Sequence, residues 1–107
     1  MEFAYGHGQY IENKKNFSGR IILAEHKLYM RGHEGDIPQT YIPLEKITGV
    51  SRKNNMLTVN VRPSLYFEYT AHITGEKKHV KELTDDVVQR RGLKKRFLKN
   101  EWFEEPI

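Results

Sequence analysis

The sequence contains no cysteine. That removes thiol catalysis, disulfide frameworks and thiolate zinc sites in one step. Long apolar runs are missing too. The longest, Ile21-Ile22-Leu23-Ala24, falls far short of the ~20 residues a membrane-spanning helix needs. Residues Met1 to Gly8 lack the basic start and apolar run of an export signal. The expectation is therefore a cytoplasmic chain, peripheral to a membrane at most, in which the Asn16-Phe17-Ser18 sequon carries no sugar. Prolines number 4 and tryptophans 1, and no repeat or low-complexity tract breaks the chain. At 107 residues it fits one domain of the common ~100–150-residue size.

What is present is charge. Lysine and arginine total 18 against 14 acids, a net charge of +4. The cations are unevenly placed, with six between Arg90 and Lys99 and smaller pairs at Lys14-Lys15, Arg52-Lys53 and Lys77-Lys78. Such clusters favour anionic partners, although most basic runs are solvated faces.

Apolar spacing predicts mostly strands. With Glu25-His26 at a hairpin tip, Leu23 faces Leu28 and Ile21 faces Met30 on a core side. Ile22 with Tyr29, and Arg20 with Arg31, then fall on a half-wet side. Phe3 to Ile11 supplies an earlier strand, interrupted by Gly6 and Gly8. After a turn at His33-Glu34-Gly35-Asp36, a strand runs from Ile37 to Ile42, and Pro43 opens a helical turn. Further strands are expected at Gly49–Arg52, Leu57–Val61 and Leu65–Thr70, the last two alternating with a period of two. The period then changes: Val80, Leu83, Val87 and Val88 fall at helical spacing. Thr74 is the expected N-cap, Glu76 suits the first turn, Arg90 and Arg91 the last, and Gly92 the C-terminal stop. A second, shorter helix is expected from Leu93 to about Trp102. The predicted fold is mainly β: seven strands in a partly open barrel of two near-orthogonal sheets, capped by one C-terminal helix. Residues 1–92 form the barrel unit and 93–107 a basic, aromatic tail.

Three segments resemble the pleckstrin-homology (PH) superfold, closest to its GRAM and prokaryotic PH-like branches. They are Gly19-Arg20-Ile21-Ile22-Leu23 with Leu28-Tyr29, then Ile42-Pro43-Leu44-Glu45-Lys46-Ile47-Thr48-Gly49-Val50, and Leu57-Thr58-Val59 leading into Tyr66-Phe67. In that family the I-P-L-x-x-I segment ends one sheet and begins the other. The likeness covers residues 3–91 and implies binding of lipid headgroups or protein segments, without catalysis. In the lipid-binding subset a basic residue stands early in the first loop and a basic-x-Arg triplet follows on the second strand. Lys14, Lys15 and Arg20 match that pattern, whereas Ser18 stands where it has a base. The implied anion site is Lys14, Lys15, Arg20, Arg31 and Arg62, with Glu34 and Asp36 opposing it.

Other chemistry finds little support. The five histidines show no metal-ligand spacing. No G-x-S-x-G or phosphate-binding glycine loop occurs, and the adjacent Asp85 and Asp86 would point ~100° apart on a helix. The sequence therefore reads as a non-enzymatic module with no cofactor, no metal and no small-molecule substrate. Arg20 and Arg31, like charges face to face, are either an anion clamp or a pair offset by Glu12, Glu25 or Glu68. The tail residues Lys94, Lys95, Arg96, Phe97, Lys99, Trp102 and Phe103 either mark a contact surface for a protein partner or a second copy of the chain, or the tail folds back onto the barrel through Phe97, Leu98 and Trp102. Contact with an anionic membrane ranks behind partner docking, and single-stranded nucleic acid ranks third.

Overall fold

The computed structural model describes residues 1–32, 41–96 and 99–104. The chain is mainly β with one C-terminal helix, as its patterning predicts. The strands are β1 (Phe3–Glu12), β2 (Lys15–Leu23), β3 (Lys27–Arg31), β4 (Ile42–Pro43), β5 (Ile47–Lys53), β6 (Met56–Ser64), β7 (Phe67–Gly75), β8 (Lys94–Lys95) and β9 (Glu101–Phe103). Helix α1 spans Lys77–Arg91, and a single 3-10 turn, Leu44–Lys46, follows Pro43.

The expected seven-stranded, two-sheet barrel is replaced by one open antiparallel sheet of nine strands, ordered β4-β3-β2-β1-β7-β6-β5-β9-β8. The reason lies in β1. It pairs with β2 along one edge and β7 along the other, so the two halves share a strand and stay continuous. A bulge between Ala4 and His7 lets β1 bend. Gly6 adopts φ 78° there, and a Cβ on it would lie 2.6 Å from the His79 ring. The extra residue also resets the alternation, so Tyr5 and Tyr10 both point into the core although simple alternation would oppose them.

The β2–β3 hairpin has the expected register: Arg20 opposite Arg31, Ile21 opposite Met30, Ile22 opposite Tyr29, Leu23 opposite Leu28. At its tip the Ala24 N–H donates to the Lys27 carbonyl at 2.8 Å. Its outer side is drier than expected, because Ile22 and Tyr29 are both buried. The predicted turn at residues 33–36 and most of the predicted 37–42 strand lie outside the described residues. Strand β7 starts later and runs longer than the alternation suggested. Leu65 and Tyr66 form the turn before it, and Ala71 and Ile73 extend it into the core.

Thr74 consequently belongs to β7, and Glu76 is the residue at the helix N-cap, without a side-chain capping bond. The helix ends as predicted at Gly92, which is left-handed with φ 62°. Val80, Leu83 and Val87 are fully buried against the inner face. They join residues from β1 to β7 in a single cluster, so the sheet coils around one core with the helix against it. Arg90 donates to the Ala24 carbonyl at 2.7 Å and Arg91 to that of Ile47 at 2.9 Å. The helix end is thereby tied to two distant parts of the sheet.

The tail differs most from expectation. In place of a helix, β8 and β9 form a hairpin that continues the sheet beyond β5. Backbone bonds from Arg52 N–H to the Asn100 carbonyl (3.0 Å) and from Glu104 N–H to the Thr48 carbonyl (3.0 Å) secure it. Strand β5 would otherwise expose a row of unpaired backbone groups, which is the physical reason for a strand here.

A candidate recognition surface at one end of the sheet

Among the described residues, the β6–β7 turn is the most exposed run of apolar side chains. Leu65, Tyr66 and Phe67 are 78, 97 and 57 % exposed, three consecutive side chains with almost nothing over them. A register shift between Val61 and Ser64 precedes the turn. Pro63 sits in that irregularity, where its missing N–H costs no ladder bond. The turn is held by polar atoms beneath it. The Tyr66 N–H donates to Ser64 Oγ at 3.3 Å, and the Arg62 guanidinium donates to the Leu65 carbonyl at 3.3 Å. Arg62 also lies 3.6 Å from the Glu68 carboxylate. Phe67 is propped against Tyr69, with ring centroids 5.9 Å apart.

The pairing of Ile11 with His72 places the β1–β2 turn at the same end of the sheet as the β6–β7 turn. Asn13, with φ 54°, makes the tight β1–β2 turn, and Lys14 and Lys15 follow it in the chain. Phe17, opposite Tyr10, and Tyr41 are further exposed aromatics. Below them, the Tyr10 hydroxyl donates to the Glu12 carboxylate, which turns that acid away from the rim. Burial first, then this bond, pushes the Tyr10 phenol well above its ordinary range. Burial likewise raises Tyr69.

The anion site implied by the resemblance is not gathered in one place. Arg20 and Arg31 are neighbours on the outer side of β2 and β3, as read from the pattern. Lys14 and Lys15 lie at the far end of β2, and Arg62 lies on β6, beyond β1 and β7 in the sheet. Arg31 is offset by an acid that patterning did not pick out. It donates to the Glu2 carboxylate and to the Tyr29 hydroxyl, both at 2.7 Å. The Tyr29 hydroxyl in turn donates to Glu2 at 2.6 Å. The Tyr29 and Arg31 hydrogen bonds hold Glu2 below the usual carboxylate range. Of the acids considered for this role, Glu12 serves Tyr10 and Glu68 faces Arg62, while Glu25 lies 3.7 Å from His26.

The tail residues are accounted for differently. Lys94 and Lys95 form β8, and Trp102 stands opposite Val50 and packs on the core. Phe103 lies over Gly49, where a Cβ would come within 2.3 Å of its ring, and the Arg96 guanidinium lies over the same ring, 4.6 Å from its centroid. Arg91 adds a salt bridge to Glu104. Lys99 is exposed, and Phe97 lies outside the described residues. The packing of Trp102 on the core is the fold-back alternative that the sequence left open, but its arrival as a strand paired with β5 had no local signal.

Among the described residues no group of three His, Asp or Glu side chains could hold a metal ion, and no helix is long and apolar enough to cross a membrane. A hollow of about 430 Å³ is an open depression beside β5 and β9, lined by Arg52, Lys53, Thr58, His72 and Glu101 among others. Thr58 and His72 are bonded to one another there at 2.9 Å. No protein-family model matches the chain, and no curated protein does either.

Proposed function

We propose that the chain is a non-enzymatic, PH/GRAM-like interaction module, working at a protein or membrane surface and presenting the β6–β7 end to its partner. The observation that carries this reading is the exposed Leu65-Tyr66-Phe67 tip. Soluble proteins seldom leave contiguous large apolar side chains in water unless something covers them in use. Two features support the kinship. Strands β4-β3-β2-β1-β7-β6-β5 precede a single packed helix. The I-P-L-x-x-I segment ends β4, makes the 3-10 turn and begins β5, the corner role it has in that family. A headgroup site built from Lys14, Lys15, Arg20, Arg31 and Arg62 is the weaker reading, because these residues are dispersed over the sheet. Single-stranded nucleic acid remains third, resting on the exposed Tyr66 ring alone.

The test is diffusion in the native cell. A fluorescently tagged chain should move more slowly than its size dictates, and a variant with Leu65, Tyr66 and Phe67 all changed to Ser should return to free diffusion. Free diffusion of both forms would count decisively against an interaction module.

A further inference from the structure

We propose that the outer face of β5, β6 and β7 is a binding site for a neutral saccharide chain. This goes beyond the reading above, since it concerns a different face and needs neither the β6–β7 tip nor its partner. Strand alternation defines the face. Leu57, Val59, Ala71 and Ile73 point into the core, so Met56, Thr58, Asn60, Thr70 and His72 stand on the opposite side. Cross-strand side-chain bonds agree with that placement: Thr70 donates to Asn60 Oδ1 at 3.3 Å, and Thr58 and His72 are joined at 2.9 Å. Ser51 pairs with Thr58 on one flank and with Glu101 on the other, which brings both onto the same face.

Two hollows open there. The depression of about 430 Å³ holds Ser51, Lys53, Thr58, His72 and Glu101, and its size lies in the range of small-ligand sites. A second hollow, of about 220 Å³, is lined by Asn60, Glu68 and Thr70. Thr58 and Asn60 are two residues apart on β6, or about 7 Å, so the hollows follow one another within reach of linked sugar rings.

The chemistry of the lining favours hydroxyls. Among the described residues, the Ser51 hydroxyl, the Lys53 ammonium and the Glu101 carboxylate have no side-chain bond or ion pair. Thr58 holds His72 through Nδ1, which leaves Nε2 available. Lysine only donates, a carboxylate only accepts, and a serine does both. Sugar hydroxyls, which donate and accept, match that mixture. Charge argues against an anion. Arg52 is on the other side of β5, opposite Leu57, and donates to the Asn54 carbonyl. Lys53 is then balanced by Glu101, and Glu68 by Arg62 at 3.6 Å. The face is close to neutral on a chain of net charge +4. Met56, 37 % exposed in the larger hollow, offers an apolar rest for the C–H side of a sugar ring.

The experiment is an amide-shift titration of the full chain with oligomers of glucose and of N-acetylglucosamine, from one unit to four. Shifts should gather at Ser51, Thr58, Asn60, Thr70 and His72, and the tetramer should bind about tenfold tighter than the monomer by occupying both hollows. Thr58→Val with Thr70→Val removes two hydroxyls but keeps β-branched side chains, and should weaken tetramer binding about tenfold. The amide spectrum itself reports whether that variant keeps its fold. The combined change Leu65→Ser, Tyr66→Ser and Phe67→Ser should bind sugar as the wild type does, so this site and the interaction-module reading fail separately. Beads carrying the tetramer through its reducing end distinguish the source. Retention assigns a glycoconjugate, binding of the free tetramer alone assigns a soluble saccharide, and either supports the proposal. No shift with any oligomer at millimolar concentration, equal affinity for monomer and tetramer, unaltered binding in the double valine variant, or loss of binding in the tip variant would each overturn it. Tighter binding of an anionic oligogalacturonate would overturn it in favour of an anion site. Equal shifts from glycerol would reduce it to non-specific polyol contact.

Discussion

Two buried tyrosines bind carboxylates through their hydroxyls: Tyr5 to Asp86 and Tyr10 to Glu12. Burial is the main cause, and the bonded acid the second, that pushes both phenols above their ordinary range. The folded chain therefore holds these protons more tightly than the unfolded chain. The stability they contribute is complete below about pH 10, the ordinary tyrosine value, and is lost as pH rises beyond it. Thermal melts in alkaline buffers should show a falling midpoint from about that pH, less steeply in Tyr5→Phe or Tyr10→Phe. Gly49 makes a second prediction. Gly49→Val would force a side chain into the Phe103 ring, so amides of the β9 segment should exchange with solvent markedly faster while those of β6 keep their protection. At this scale the sequence was partly legible. The opposed Arg20 and Arg31 followed from the hairpin pattern, but Glu2, 29 residues from Arg31 in the chain, did not, because nothing local links them.

Hairpins were legible as elements when both strands carried paired apolar residues, as β2 and β3 do. The 93–103 segment misled because its apolar residues fit a helical wheel as well as they fit short strands. A distant circumstance decided between them: β5 had an edge to fill. The same limit explains β7, whose Ala71–Gly75 half is specified by pairing with β6 and β1 more than by its own alternation. If the tail is an edge cover, removing residues 93–107 should leave Ile47–Lys53 open and promote association of the truncated chain. Light scattering over a concentration series would reveal it, and a stably monomeric truncation would argue that β5 needs no cover. Arg91→Ala, which removes the bonds to Ile47 and Glu104, should loosen the same hairpin without opening the core.

For the whole molecule the decisive feature is that all strands from β1 to β7 and the helix share a single cluster of buried side chains. One core implies one cooperative transition, so helix and sheet signals should melt together. Leu83→Ala, emptying a fully buried position, should cost about 2–5 kcal/mol in chemical denaturation. The mainly-β class and the single helix were readable from the change of period after Gly75. That the strands join in one open sheet was not, because continuity depends on β1 serving two partners at once, a property of the assembled sheet.

The placement of Trp102, the one tryptophan, on β9 against Val50 has a practical corollary. Its intrinsic fluorescence watches a peripheral strip of the structure held by a few backbone bonds, so a spectral change on warming or in mild denaturant would register the lifting of that strip. An observer using emission alone would underestimate how long the interior survives.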